Sequence, residues 1–334
     1  MNILLTGATG FIGSHLVNRL VKEEYEVTCV VRKTSNIEDL KKLDVKIFMA
    51  DLRDKESLTN LPNNIDIVYH LAAYGIFSAT SEKIYQEMVE TNVHATTNLF
   101  LSIIEKNPKL KKFIHFSSLA AVGFQRGTVI NNNTEPLPDT LYGESKYQGE
   151  CEIKKLAQSY KTPLVIIRPS LVYGKNDFTS DFLKSVRLIK KGIFPTFGNG
   201  KNLMSPVIFV DDLIEICIRF MKSEKVGTFI CANDEKFTIN YFVETISEKL
   251  SQKRGSIKIP VWFGSISIYP IEILFKLINK TAPLNSRRIK DLSVDRLFKD
   301  IHKDLDEAIN YHPTTNLKEG VDIVVDWYKE NKLI

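Results

Sequence analysis

The chain has 334 residues, 43% apolar and 25% charged, which is globular usage and excludes wholesale disorder or a fibrous repeat. That length suits about two domains, or one large α/β unit with an appendage, and can bury a core without disulfides or metals. Lys and Arg number 45 against 40 Asp and Glu; the resulting +5, read as dispersed and without a basic stripe interleaved with aromatics, argues against nucleic acid as a partner.

Short runs rich in Val and Ile come first, at Asn2–Leu5, Glu26–Val31, Lys46–Met49, Ile65–His70, Phe113–Ser117 and Leu164–Arg168. Mostly not alternating, they read as strands covered on both faces. Helical patterns at Phe11–Lys22, Lys83–Lys106 and Leu141–Ser159 lie between them. Strand and helix in repeated succession predict an α/β fold with a parallel sheet, doubly wound by helices. After about Pro169 the alternation loosens, and helical patterns resume at Asp211–Lys222, Ile239–Ser251 and Leu317–Asn331. The N-terminus MNILLTGATG, without a basic leader, does not read as a signal peptide. The longest apolar stretch, Val261–Ile278, is interrupted by Pro270, Glu272 and Lys276, so no span is expected. It reads as a buried helix pair, with a lid or a membrane-surface element as the sharper alternative.

The first strand runs into Thr6-Gly7-Ala8-Thr9-Gly10-Phe11-Ile12-Gly13 and then a helix. Three glycines at a strand–helix junction allow a tight turn, close approach of backbone to a pyrophosphate, and helix packing on strand. Phosphates then meet the free N–H groups of the helix N-terminus. The pattern predicts a dinucleotide cofactor. An acid about 20 residues past the glycines would accept hydrogen bonds from the ribose of NAD. The chain has Arg32-Lys33-Thr34-Ser35 there, and a guanidinium pairs with phosphate instead, so NADP(H) is preferred, with NAD(H) possible. The expected organisation is an NAD(P)-binding domain over 1–170, to which 206–233 returns, and a substrate-binding region over 171–334.

Tyr142 and Lys146 are four apart at the start of a predicted helix, which puts both on one face. An ammonium beside a phenol favours phenolate, and the tyrosine becomes a usable acid/base. The spacing recurs at Tyr328 and Lys332, which reads as a surface pair. Upstream, a strand ends in Ser117-Ser118, and only one of two adjacent strand residues can face a substrate.

TGATGFIG, HLAA at His70–Ala73, SSLAAVG at Ser117–Gly123, YGESK at Tyr142–Lys146, RPSLVYG at Arg168–Gly174 and VDDL at Val210–Leu213 follow in this order. Together they closely resemble the extended short-chain dehydrogenase/reductase family of nucleotide-sugar epimerases, dehydratases and reductases, over nearly the whole chain. The resemblance implies a Rossmann-type fold and assigns catalysis to Tyr142, Lys146 and Ser118. It implies cofactor contacts from Gly7, Thr9, Gly10, Phe11, Ile12 and Gly13, from Asp51 and Leu52 at the adenine, and from Leu71, Ala72 and Ala73. Asn92, Pro169 and Val172 match further positions near the cofactor. A homodimer through the helices at Lys83–Lys106 and Leu141–Ser159 is implied as well.

The family's arginine before the VDD motif is replaced by Lys201-Asn202-Leu203-Met204-Ser205-Pro206. A nucleotide sugar would then need Lys201, Arg287, Arg288 or Arg296 for its phosphates, and one of the three arginines is expected to face the cleft. The expected function is NADP(H)-dependent reduction of a nucleotide-linked 4-keto sugar. The alternatives are an NAD-dependent nucleotide-sugar epimerase, a reductase of an uncharged ketone or aldehyde, and a cofactor-binding sensor or scaffold. No metal is expected, because the six histidines show no ligand spacing. Cys29, Cys151, Cys217 and Cys231 read as buried free thiols, hence a cytoplasmic location.

Overall fold

The computed structural model describes residues 1–77, 79–124, 127–178, 181–252, 256–270, 273–274, 289 and 294–334. Their strands are β1 (Asn2–Thr6), β2 (Glu26–Val31), β3 (Lys46–Met49), β4 (Ile67–His70), β5 (Lys112–Phe116), β6 (Val129–Ile130) and β7 (Leu164–Pro169). They continue with β8 (Leu171–Tyr173), β9 (Phe194–Phe197), β10 (Val207–Phe209), β11 (Gly227–Cys231), β12 (Ser256–Ile259) and β13 (Leu297–Phe298). The helices are α1 (Phe11–Lys22), α2 (Glu82–Val89), α3 (Ala95–Lys106), α4 (Leu141–Ser159), α5 (Asp181–Lys190), α6 (Val210–Lys222) and α7 (Ile239–Lys249). After them come α8 (Val261–Ser267), α9 (Ile301–Ile309) and α10 (Leu317–Glu330).

Seven strands pair in the order β11-β7-β5-β4-β1-β2-β3, all parallel. This is a Rossmann-type sheet. Chain direction across it reverses between β1 and β4, and the crevice outside their carboxyl ends is where ligands of such sheets bind. The glycine loop follows β1 and the HLAA loop follows β4, so both open into that crevice.

Each strand is apolar on both sides because each side meets a helix layer. Leu5, Val31, Tyr69 and Ile167 face Leu16, Val17 and Leu20 of α1 with Leu213 and Phe220 of α6. Leu4, Val68, Phe113 and Ile166 face Leu99 and Phe100 of α3 with Ile153 of α4. A separate core joins Phe182, Phe242, Val321 and Tyr328 from α5, α7 and α10. Truncating one such aromatic to alanine costs about 3–5 kcal/mol.

One expectation is refined here and another fails. The helix expected over Lys83–Lys106 is present and carries a π-helical turn, Glu90–His94. An extra residue in the turn leaves the apolar period almost unchanged, so periodicity does not reveal it. Tyr328 is no surface residue but fully buried in the third core. Asp212 ties the tail to α6: it accepts from Tyr311 Oη at 2.6 Å, Thr314 N at 3.2 Å and Thr315 N at 3.1 Å. Among the described residues no helix is long and apolar enough to cross a membrane.

Candidate active site

The glycine loop is built by close approach. Gly7 has φ +76°, and a Cβ there would lie 2.8 Å from Ala72 N. A Cβ at Gly13 would lie 2.1 Å from Gly7 O, so α1 packs against the loop as only glycine permits. At Gly10 the nearest atom to a Cβ is Gly7 O at 3.3 Å, and the space beyond is open. Gly10 caps α1 without a side-chain hydrogen bond, and no acid lies in its first turn. Uncapped N–H groups beside an open glycine fit a dinucleotide pyrophosphate. Thr9, Phe11 and Ile12 complete this turn; Phe11 and Ile12 are half-buried and pack against the core of α1.

The loop after β4 is held by a relay of hydrogen bonds. Ala72 N donates to Thr6 Oγ1 at 3.2 Å, and Thr6 Oγ1 lies 2.7 Å from His70 Nδ1. His70 Nε2 lies 2.8 Å from Thr96 Oγ1, whose own proton goes to Asn92 O at 2.9 Å. Thr96 must therefore accept from Nε2–H, leaving Nδ1 to accept from Thr6. Burial holds His70 neutral, its pKa lowered to about 3. Asn92 is buried and spent on the same loop. Its Oδ1 accepts from Tyr74 N at 2.9 Å, and its Nδ2 donates to Tyr74 O at 2.8 Å and Ser145 Oγ at 2.9 Å. Asn92 lies in the π-helical turn, and Leu71 and Ala73 flank Ala72 in the loop it holds.

Tyr142 and Lys146 project from the first turns of α4, whose N-terminus is capped by Thr140 accepting from Gly143 N at 3.0 Å. Lys146 is buried, and its Nζ donates to Phe116 O at 2.6 Å. Burial lowers its pKa to about 8, against the pull of Glu150. The Tyr142 side chain hydrogen-bonds Ser118, and its ring packs over Gly75, with Phe77 6.4 Å away between ring centroids. The expected depression of the Tyr142 pKa is not found. Burial pushes it up, and the Ser118 hydrogen bond opposes this. The reason is geometric: the Lys146 ammonium is directed at the Phe116 carbonyl rather than at the phenol. Of the two serines, Ser118 also accepts from Ala120 N at 3.2 Å, whereas the Ser117 hydroxyl is buried without a hydrogen-bond partner.

Behind this wall, Arg168 of β7 and Glu150 of α4 form a buried bidentate pair, Nε–Oε1 at 2.9 Å and Nη2–Oε2 at 2.6 Å. The pair pins the helix of Tyr142 to the sheet. Pro169 ends β7, and Val172 on β8 pairs with Ile208 of β10.

At the far end of the crevice Arg32 is exposed. Arg53 grips Asp51 with Nη2–Oδ2 at 2.6 Å and, with Arg32 adding to the field, holds its carboxyl at about 2. Leu52 is buried, and its carbonyl accepts from Asn98 Nδ2 at 3.1 Å. Of the three candidate arginines, Arg296 lies over the Phe124 ring, 4.1 Å from its centroid; Arg287 and Arg288 lie outside the described residues.

A sequence model described as the NAD dependent epimerase/dehydratase family matches residues 3–231. The chain belongs to that family. Its members are enzymes, and this family member resembles UDP-glucose 4-epimerase of Vibrio cholerae, with 26% identity over 96% of this chain and 93% of that one. It also resembles the decarboxylating sterol-4-alpha-carboxylate 3-dehydrogenase of Dictyostelium discoideum, 27% identical over 85% and 88% of the two chains. The fold is shared with the crystal structure of UDP-glucuronic acid 4-epimerase from Bacillus cereus in complex with UDP-glucuronic acid and NAD. There the TM-score is 0.79 at 24% identity, covering 99% of this chain and 100% of that chain.

Sequence reasoning missed Gly75, because a glycine in a loop signals only a turn. It also missed the Phe116 carbonyl, since backbone groups carry no sequence signal.

Proposed function

We propose that the chain is an NAD-dependent epimerase of a nucleotide-linked sugar, inverting a hydroxyl-bearing carbon through a transient ketone. The observation that carries this reading is the hydrogen-bonded pair of hydroxyls, Tyr142 and Ser118, one helical turn from the buried Lys146. A nicotinamide held at this wall supplies a place to store and return a hydride. The side chains manage the proton and the oxygen. Ser118 donates to the substrate oxygen and polarises it. Tyr142 takes the hydroxyl proton during oxidation and returns it during reduction. Lys146, its ammonium held on the Phe116 carbonyl and not on the phenol, is assigned to the cofactor side of this wall.

The expectation of an NADP(H)-dependent reductase yields to this reading on two grounds. The Asp51 carboxylate, paired with Arg53, lies within the field of the exposed Arg32, and its negative charge offsets part of the attraction a ribose phosphate would meet there. One relative, matched over 93% of its length, is named as a UDP-glucose 4-epimerase, and epimerisation has no net need of a reductant. A second reading, a reductase of an uncharged ketone, is favoured by Arg296, whose guanidinium is engaged with the Phe124 ring. The sterol dehydrogenase relative supports it too.

Packing of α2 on α4 within the chain sets these helices side by side, and a homodimer pairing them with a second copy is assigned here, which light scattering would detect. The four free cysteines, three buried and Cys151 half-buried, support a cytoplasmic location. The substrate side of the site is assigned to the residues after β7.

The test is incubation of the purified protein with UDP-glucose and a catalytic amount of NAD, followed by sugar analysis. Interconversion of the 4-epimers without accumulation of reduced cofactor is expected. Turnover only with stoichiometric NADPH and a keto sugar would restore the reductase reading. Turnover of uncharged ketones alone would select the second reading.

A further inference from the structure

Helix α8 turns its apolar side outward. Trp262 and Ile266 are each 67% exposed and Tyr269 61%, and Phe263 beside them is also exposed. Trp262 and Ile266 stand at i and i+4 on one face of α8, and Tyr269 follows just past its end. Ile273 and Leu274, further along, are exposed as well. The orientation is fixed from behind. Gly264 is buried, and a Cβ there would come within 2.7 Å of the Phe197 ring, so this side of the helix lies flat on β9. The expectation of a buried helix pair over Val261–Ile278 therefore fails for its described residues. An apolar face of this size on a soluble protein marks an interaction site.

The charge of the chain identifies the partner. Between Lys253 and Lys290 the sequence has eight Lys and Arg against one acid, Glu272, while the whole chain nets only +5. The positive charge is thus concentrated around this segment rather than dispersed. From Ile259 to Ile271 no charged residue occurs. A second copy docked symmetrically on the same face would bring together two copies of a segment whose sequence is rich in Lys and Arg. A bilayer with anionic headgroups satisfies both features: it takes Trp, Tyr and Phe at its interface and attracts the flanking cations.

We propose that the exposed Trp262, Phe263 and Ile266 of α8, with Tyr269 just past its end, dock this protein on anionic membrane surfaces, with α8 lying in the interface. The contact is peripheral, and it does not depend on the reaction assigned above.

The test is co-sedimentation of the full chain with vesicles of phosphatidylcholine alone or mixed with phosphatidylglycerol. Binding is expected to the mixed vesicles and to weaken in high salt. Trp262→Glu with Ile266→Glu should reduce the bound fraction by about tenfold or more. Because only two tryptophans exist, Trp327→Phe leaves Trp262 as the sole reporter, and its emission should shift to the blue on vesicle addition. That readout keeps the original face intact and decides the matter even if the double variant folds poorly. Absence of both sedimentation and spectral shift would overturn the proposal. So would equal binding by a folded double variant. Concentration-dependent self-association that occludes Trp262 without vesicles, and is lost in the double variant, would assign the face to a second copy instead.

Discussion

A Cβ on Gly75 would lie 2.3 Å from Cε2 of Tyr142. The loop after β4 thus has no side chain at the place where the Tyr142 ring rests. Gly75→Ala forces the ring off that seat and away from Ser118. Turnover should fall on the order of 10²-fold, since misplacement by about 1 Å costs that much. Cofactor affinity, measured by thermal shift with NAD, should change little. Full turnover by Gly75→Ala would show that the ring yields without consequence.

Tyr142→Phe keeps the ring over Gly75 and removes the hydroxyl. Turnover should drop about 10²–10⁴-fold while the thermal shift with NAD is retained. Ser118→Ala should cost less, because it removes one donor and leaves the proton acceptor. A Tyr142→Phe enzyme of normal rate would displace the acid/base role to another group.

Lys146 gives a pH signature in stability. Its folded pKa of about 8 lies below the 10.5 of a free lysine, so between these values the unfolded chain binds more protons. Stability from this group therefore rises with pH across that window, and the full cost of the buried ammonium is borne below it. Relative to Lys146→Met, the unmodified protein should gain on the order of 2 kcal/mol from about pH 7.5 to about pH 9.5. Urea unfolding at the two pH values checks this; parallel behaviour of the two proteins would contradict it.

Glu150 and Arg168 are both buried, so removing one charge strands the other. Glu150→Ala should cost about 3–5 kcal/mol of stability. Replacing both partners by methionine should cost much less than twice that. Denaturant midpoints of the three variants, with unchanged slopes, give the comparison.

Much of this was legible in the sequence because it lay in local pattern. The glycine loop, the strand ends and the Tyr142–Lys146 spacing are each set by a few neighbouring residues, and α1 and α4 fall on Phe11–Lys22 and Leu141–Ser159 as the periodicity places them. What stayed hidden depends on distant chain. The direction of the Lys146 ammonium is set by a carbonyl thirty residues earlier, which reverses the shift expected for Tyr142. The clamp of Asn92 on Tyr74 requires a π-helical turn that leaves the apolar period intact. The outward face of α8 reads as core by composition, since Trp, Phe and Ile are ordinary core residues.

Tyr69 on β4 and Lys112 at the start of β5 donate hydrogen bonds to carbonyls of α6. Tyr69 Oη donates to Cys217 O at 2.9 Å, and Lys112 Nζ donates to Phe220 O at 2.7 Å. These acceptors leave the ribosome more than a hundred residues after their donors. Until then the phenol and the ammonium have no native partners, and β7 has an open edge because β11 has not been made. A nascent chain stalled near residue 170, or a fragment cut there, would be a sticky intermediate in need of a chaperone rather than a self-sufficient domain. Biosynthesis of this sheet is completed only when its last strand arrives.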